Sequence, residues 1–249
     1  MLVLTQLSDL HLDGGERRAA RAERIMDHLN GLAAPLDAVL VTGDIADHGA
    51  PEEYEQALKV LSSPYPVLTC PGNHDARGPY GRVLLGRESG GDAAPVNTAH
   101  RIGGAVFALC DSTVPGEDRG FLADETLAWL DAVLAAEPAA PAFVCFHHPP
   151  VPLHAPYVDP IRQFGEERLA AVIARHPQVA ALLCGHAHTA AATSFAGRPL
   201  LVAPGVVSRL VFPWREGEGE PVDYEAPPAV AFHVLHDDQR LVTHYRALP

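Results

Sequence analysis

The stretch DAVLVTGD, residues 37–44, sets four apolar side chains in a row and then stops at threonine, glycine and aspartate. Apolar residues on consecutive positions, without strict alternation, predict a strand covered on both faces. The same design recurs in LVLTQLSD (2–9), PVLTCPGN (66–73), AVFALCDS (105–112), AFVCFHHP (142–149), VAALLCGHAH (179–188), PLLVAPGV (199–206), AVAFHVLH (229–236) and LVTHYRAL (241–248). Between these runs, residues 17–32, 51–61, 124–136 and 165–175 carry apolar side chains at helical spacing. Strands alternating with helices predict an α/β protein in which helices form the outer cover of the sheets.

The 249 residues are 47% hydrophobic, enough for one sizeable core, so a single domain over residues 1–249 is expected. A Pro- and Gly-rich segment at residues 212–228 interrupts the pattern and reads as a surface loop, over a site or at a subunit contact. The formal net charge of −13 argues against nucleic-acid polymers and anionic membranes as partners. With only 18 lysines and arginines, a bound cation is a better source of positive charge for phosphate chemistry than a basic patch. The start MLVLTQLSDL lacks a basic leader and meets Ser8-Asp9 early, so it reads as a buried strand and not as an export signal. No apolar run is long enough to span a bilayer, and a cytoplasmic protein is expected. Cys70, Cys110, Cys145 and Cys184 lie in or at the end of strand-like runs without close spacing, as buried free thiols would.

The polar residues fall at strand ends. Five runs close with SDLH (Asp9, His11), TGD (Asp44), CPGNHD (Asn73, His74, Asp75), FHHPP (His147, His148) and CGHAH (His186, His188). Ligands of α/β sheets collect at the carboxyl ends of strands, so residues scattered in sequence converge there. Each motif alone is an ordinary turn, cap or loop; together they predict a metal site. Four imidazoles, two carboxylates and an amide are more donors than one tetrahedral zinc accepts. Two metal ions are therefore expected, divalent or of mixed valence, roughly 3.5–4 Å apart and bridged by a carboxylate. Asp44 is the expected bridge. Mixed nitrogen and oxygen donors favour iron or manganese, with zinc or cobalt as alternatives, over calcium or magnesium.

The ordered series DxH, GD, GNHD, HHPP and GHxH, from Leu2 to about His188, resembles the calcineurin-like metallophosphoesterase superfamily. Within it the chain is similar to the bacterial class III cyclic-nucleotide phosphodiesterases and the related glycerophosphodiesterases. The resemblance implies a four-layer αββα sandwich of two mixed sheets flanked by helices. It also implies that Asp9, His11, Asp44 and His188 bind one metal, and Asp44, Asn73, His147 and His186 the other. His186 and His188 would then reach different metals, which accounts for their pairing. His147 is taken as the ligand of the HH pair because relatives keep a histidine there; His148 would stand behind the ligands or face the substrate. The implied reaction is in-line hydrolysis of a phosphodiester by water activated between the metals, with Asp44 and His74 as catalytic residues. His74 would donate a proton to the leaving alkoxide or stabilise charge in the transition state. Asp75 would orient His74, pair with Arg77 or cap its own turn.

Substrate-contacting loops are expected at His48, residues 77–80 and residues 154–162, with His74, His148 and Arg77 as candidate contacts. In GDIADHG, His48 stands where serine/threonine protein phosphatases use an arginine to hold phosphate, which argues against a phosphoprotein substrate. Asp159-Pro160 resembles a segment of the glycerophosphodiesterase relatives. The expected substrate is a small phosphodiester, first a 3′,5′-cyclic nucleotide such as cyclic AMP. The alternative is a glycerophosphodiester or a broad range of diesters. A reading of another class, a non-catalytic scaffold on the same fold, is disfavoured because every motif position is filled. A homodimer is a further expectation of the resemblance.

Overall fold

The computed structural model of the chain describes residues 1–87, 93–211 and 221–248. From the start the elements are β1 (Leu2–Leu7), α1 (Glu16–Asn30), β2 (Ala38–Thr42), α2 (Pro51–Val60), β3 (Val67–Cys70) and α3 (Arg77–Val83). Then come β4 (Thr98–Ile102), β5 (Ala105–Leu109), β6 (Gly120–Phe121), α4 (Asp124–Ala136), β7 (Ala142–Cys145), β8 (Gln163–Phe164) and α5 (Glu166–Arg175). The last are β9 (Val179–Cys184), β10 (Ala191–Phe195), β11 (Arg198–Val202), β12 (Arg209–Leu210), β13 (Val222–Asp223), β14 (Ala229–Leu235) and β15 (Leu241–Ala247).

Two mixed sheets carry the architecture, in the orders β15-β14-β1-β2-β3 and β10-β11-β9-β7-β5-β4. In the first, β1, β2 and β3 run parallel and β14 and β15 are antiparallel; in the second, β5, β7, β9 and β11 are parallel with antiparallel edges. The 37–44 stretch shows why its apolar residues are consecutive. Ala38 and Leu40 face the other sheet, in a layer shared with Phe107, Phe143 and Leu183. Val39 and Val41 face outward under Ile25 and Met26 of α1 and Tyr54 and Ala57 of α2. On the far side, Leu127 and Leu130 of α4 and Leu169 and Ile173 of α5 cover Val144 and Leu182. Helices, sheet, sheet and helices thus form four layers, each strand's two faces buried in different ones.

Some elements escape a reading based on apolar runs. The edge strands β4 and β10 expose most of their side chains, so no core face marks them. Residues 77–80, expected as a loop, begin helix α3. Of the 212–228 segment, residues 212–220 lie outside the described residues; Val222 and Asp223 pair with Leu210 and Arg209 in a short ladder. All four cysteines are buried and free.

The ends of the parallel strands are tied together at one rim. Asp9 N–H donates to Gly43 O (3.1 Å), His11 N–H to Asp44 O (2.9 Å) and Val207 N–H to Asp9 O (3.1 Å). Gly185 N–H donates to His147 O at 2.9 Å. Gly185 also brings the two sheets into contact there: any Cβ on it would collide with Ser8 Oγ and lie 2.7 Å from Thr42 O. Glycine is what allows the loop after β9 to press against the ends of β1 and β2.

Candidate metal centre

The seven side chains singled out as metal donors converge at this rim. Asp44 Oδ2 lies 3.5 Å from His11 Nε2 and 3.3 Å from His147 Nε2, between the two groups of donors. On one side, His11 Nε2 and His188 Nε2 are 3.2 Å apart, and His188 Nε2 is 3.5 Å from Asp9 Oδ1. On the other, His186 Nδ1 is 3.1 Å from Asn73 Oδ1 and 3.3 Å from His147 Nε2. Asp9, His11, Asp44 and His188 each offer one ligand atom within 4.8 Å of the others.

The inward nitrogens are set by what holds the outer ones. His147 Nδ1 meets the carbonyl of Thr42 at 2.7 Å, and a carbonyl only accepts, so Nδ1 carries the proton. In the neutral ring Nε2 is left with a lone pair toward Asp44. His11 Nδ1 meets Asp47 Oδ1 at 3.0 Å, and His188 Nδ1 meets Ser208 Oγ at 2.7 Å. Such outer partners fix ring orientation and raise donor strength. Asp9 Oδ2 and His186 Nε2 are buried with no hydrogen-bond partner, although buried polar atoms are nearly always paired. Five of the seven donors, Asp9, His11, Asp44, His186 and His188, sit on left-handed backbone with φ between 45° and 69°. That conformation costs L-residues about 1–2 kcal/mol each, and it aims their side chains into one small volume. Orphaned acceptors, lone pairs fixed inward and strained turns fit a bound metal pair.

Electrostatics within the cluster are polarised. Burial pushes the Asp9 carboxyl up to about 6, with His147 opposing the shift and Asp44 adding to it. Burial also opposes charge on Asp44, but His147 and His11 outweigh it and hold the carboxyl well below its usual range. Its partner His147 is pushed down by burial and up, by more, by Asp44, to about 9. Burial keeps His186 and His188 neutral, the form that donates to a metal, with His188 lowered to about 4.

A family model of calcineurin-like phosphoesterases matches residues 2–190. The chain belongs to this family. It is 33% identical over 245 residues to a glycerophosphodiester phosphodiesterase, GpdQ, of Enterobacter lignolyticus, covering 93% of this chain and 86% of that protein. It is 34% identical over 212 residues to a probable cyclic nucleotide phosphodiesterase of Rhodococcus erythropolis, with coverage of 80% and 69%. The fold is shared with a dimetal phosphatase of Danio rerio at a TM-score of 0.70 and 18% identity, covering 99% of this chain and 96% of that one. The four-layer arrangement of two mixed sheets is therefore that of a phosphoesterase, and the chain is a hydrolase of that family.

Other expected positions in this phosphoesterase lie elsewhere. His148 does not face the substrate: it is fully buried, with Nδ1 2.8 Å from Ser112 Oγ and Nε2 3.1 Å from Asp118 O, and its ring lies 4.6 Å from that of His186. Arg77 does not reach the cleft either. Its guanidinium pairs with Asp111 at 2.8 Å and donates to Thr113 O, with only 8% of the side chain exposed. Asp75 orients neither His74 nor Arg77; it accepts N–H groups from Gly72, Ile45 and Ala46 and closes its own turn. His48 pairs with Glu53 on the outside.

His74 stands beside the donors, with its N–H on Asp44 Oδ1 (2.9 Å) and Nδ1 2.8 Å from Asp47 O. A cleft of about 370 Å³ opens over His11, Asp44, Asn73, His74, His186 and His188. Its outer part is lined by Asp118, Tyr157, Val158, Ile161, Leu210, Val222 and Tyr224. Asp47, Ser208 and Asp118 were not anticipated. Asp47 was readable in GDIAD as a second carboxylate three residues after Asp44; Ser208 and Asp118 carry no local signal.

Proposed function

We propose that this phosphoesterase is a dinuclear-metal phosphodiesterase for small diesters, acting on a 3′,5′-cyclic nucleotide, cyclic AMP first. The observation that carries the reading is the convergence of Asp9, His11, Asp44, Asn73, His147, His186 and His188 under a cleft with room for both substituents of a diester. Asp9, His11, Asp44 and His188 would hold one metal and Asp44, Asn73, His147 and His186 the other, with Asp44 shared. Their nitrogen and oxygen donors suit iron or manganese. Bound there, the metals would neutralise phosphate oxygens and lower the pKa of water at the site.

The chain's own residues do the rest. Asn73 and the histidines orient the phosphate, and His74 donates a proton to the leaving alkoxide. Burial lowers the His74 pKa, while Asp44 and the Asp47 carbonyl raise it, and the net shift is upward. With Nδ1–H on Asp47 O, the transferable proton sits on Nε2. Tyr157 and Tyr224, both half-exposed or more at the cleft, offer rings on which a base can stack. Similarity to the Rhodococcus erythropolis protein supports the cyclic-nucleotide reading. Similarity to GpdQ over 93% of the chain favours the second reading, a glycerophosphodiester. The net charge of −13 supports small diesters over nucleic-acid polymers, and among the described residues no helix is long and apolar enough to cross a membrane. A cytoplasmic enzyme working as one domain is part of the same reading.

The test compares hydrolysis of cyclic AMP and glycerophosphocholine by Mn²⁺-loaded protein and its Asp44→Asn variant. Preference for cyclic AMP, lost in the variant, is expected; preference for glycerophosphocholine transfers the enzyme to the second reading. Activity that survives Asp44→Asn unchanged overturns the metal assignment.

A further inference from the structure

We propose that Asp118 is a charge filter that makes the cleft select singly charged phosphodiesters over doubly charged phosphomonoesters; this rests on the phosphodiesterase reading above. Asp118 is exposed in the loop before β6 and lines the cleft. Its carboxylate has no hydrogen-bond or ion-pair partner among the described residues. Arg18, the one arginine or lysine among the described residues lining the cleft, is already committed: it pairs with Asp47 at 2.6 Å and with Asp13 at 3.3 Å. Beyond the metal centre and His74, then, nothing described in the cleft is free to balance a second negative charge, and the Asp118 carboxylate opposes it. The neighbouring surface, from Tyr157, Ile161, Val222 and Tyr224, suits an uncharged organic substituent.

The backbone that carries Asp118 is held in place from behind. Asp118 O accepts from His148 Nε2 at 3.1 Å, while His148 Nδ1 shares a hydrogen bond with Ser112 Oγ at 2.8 Å. The His148 ring lies 4.6 Å from the ring of His186 and 4.8 Å from that of His147. The loop bearing Asp118 is therefore tethered to the donor cluster through one fully buried imidazole, which gives His148 a positioning role. A diester carries one negative charge, and a phosphomonoester about 1.5–2 at neutral pH. The extra charge shares with Asp118 a cleft partly walled by low-dielectric side chains, so repulsion falls on the monoester more than on the diester.

The experiment measures kcat/KM for bis(4-nitrophenyl) phosphate and 4-nitrophenyl phosphate on Mn²⁺-loaded wild type, Asp118→Asn and Asp118→Glu. Binding of inorganic phosphate, followed by calorimetry, gives a second readout. Asp118→Asn is expected to raise monoester kcat/KM and to tighten phosphate binding, each about fivefold, and to lower the diester-to-monoester ratio accordingly. Asp118→Glu, which keeps the charge, is expected to keep the wild-type ratio, and 1 M KCl to shrink the difference between wild type and Asp118→Asn. An unchanged ratio in Asp118→Asn, or a Glu variant that behaves like the Asn variant, overturns the filter while leaving the phosphodiesterase reading intact. Absence of diester turnover in the loaded wild type removes that reading and the filter with it.

Discussion

Replacing Gly72 by alanine isolates the contribution of one close contact to the metal centre. Gly72 does not use left-handed backbone, so alanine meets no conformational penalty there, and the whole effect is steric. The new Cβ would overlap the Oδ1 and amide nitrogen of Asp44 and lie 2.9 Å from its Cγ. Carbon atoms rest about 3.5–4.0 Å apart, so the Asp44 carboxylate must retreat by about 0.6–1.1 Å. Asp44 cannot swing away freely, because its Oδ1 accepts the His74 N–H at 2.9 Å and its carbonyl accepts His11 N–H at 2.9 Å. A misplacement of about 1 Å at a reacting centre costs about 10²-fold in rate, and overpacking a tight site costs about 1–3 kcal/mol of stability. The expected outcome is a Gly72→Ala protein with less than half the bound metal of wild type by elemental analysis. Its kcat/KM for a diester should fall at least 10²-fold, and its melting temperature by about 2–12 °C for a chain of this size. Gly81→Ala is the control: its Cβ meets nothing nearer than Arg87 Cδ at 3.8 Å, and alanine suits the interior of α3. Full metal content and near-wild-type turnover in Gly72→Ala would refute the placement of Asp44 at the centre of the site.

Three further outcomes are expected. Asp9→Asn should stabilise the chelated protein by about 3 kcal/mol near neutral pH, because a buried carboxyl raised to about 6 is costly to ionise. A raised carboxyl favours folding only while protonated, so the variant's advantage should grow from about pH 4 to pH 6 in denaturant titrations, and its response to added Mn²⁺ should be lost; a constant difference across that window would count against it. His74→Ala should lower kcat by about 10²-fold or more with metal content unchanged, since its side chain stands beside the donors and not among them; a matching loss of metal would show instead that His74 builds the site. Arg77→Met should cost about 3–5 kcal/mol of stability by leaving the buried Asp111 without its ion-pair partner, while KM stays at the wild-type value; a raised KM in a stable variant would return Arg77 to the substrate.

The convergence of these side chains was legible in the sequence because the polar motifs sit where strands stop. Asp9, Asp44, His147 and His186 each follow an apolar run by a few residues, and the parallel strands of the two sheets bring such ends to a common rim. The cover on both faces of the sheets was legible for a related reason, since strands such as β2 bury both faces and lose their alternation; the four-layer order came from the family resemblance. What the sequence could not show was direction. His147 and His148 are adjacent and chemically identical, but Thr42 O turns His147 Nε2 toward Asp44, while Ser112 Oγ and Asp118 O hold the His148 ring behind the cluster. Arg77 looked available because it follows the GNHD turn, but Asp111, 34 positions away, captures it. Ser208 holds His188 through a single atom, from a position that no motif marks, and Thr42 of the TGD motif holds His147 through its backbone carbonyl, which no side-chain pattern signals.

The five left-handed turns under the donors bear on how long the protein lasts in a cell. Without bound cations the native state carries their conformational cost uncompensated, along with two buried acceptors that nothing satisfies. Cations that bind only the folded chain draw the equilibrium away from opened forms, and opened forms are what proteases degrade. Scarcity of the metal therefore shortens the lifetime of each copy as well as silencing it. The turns that aim the ligands also make the metal-free protein the more fragile one.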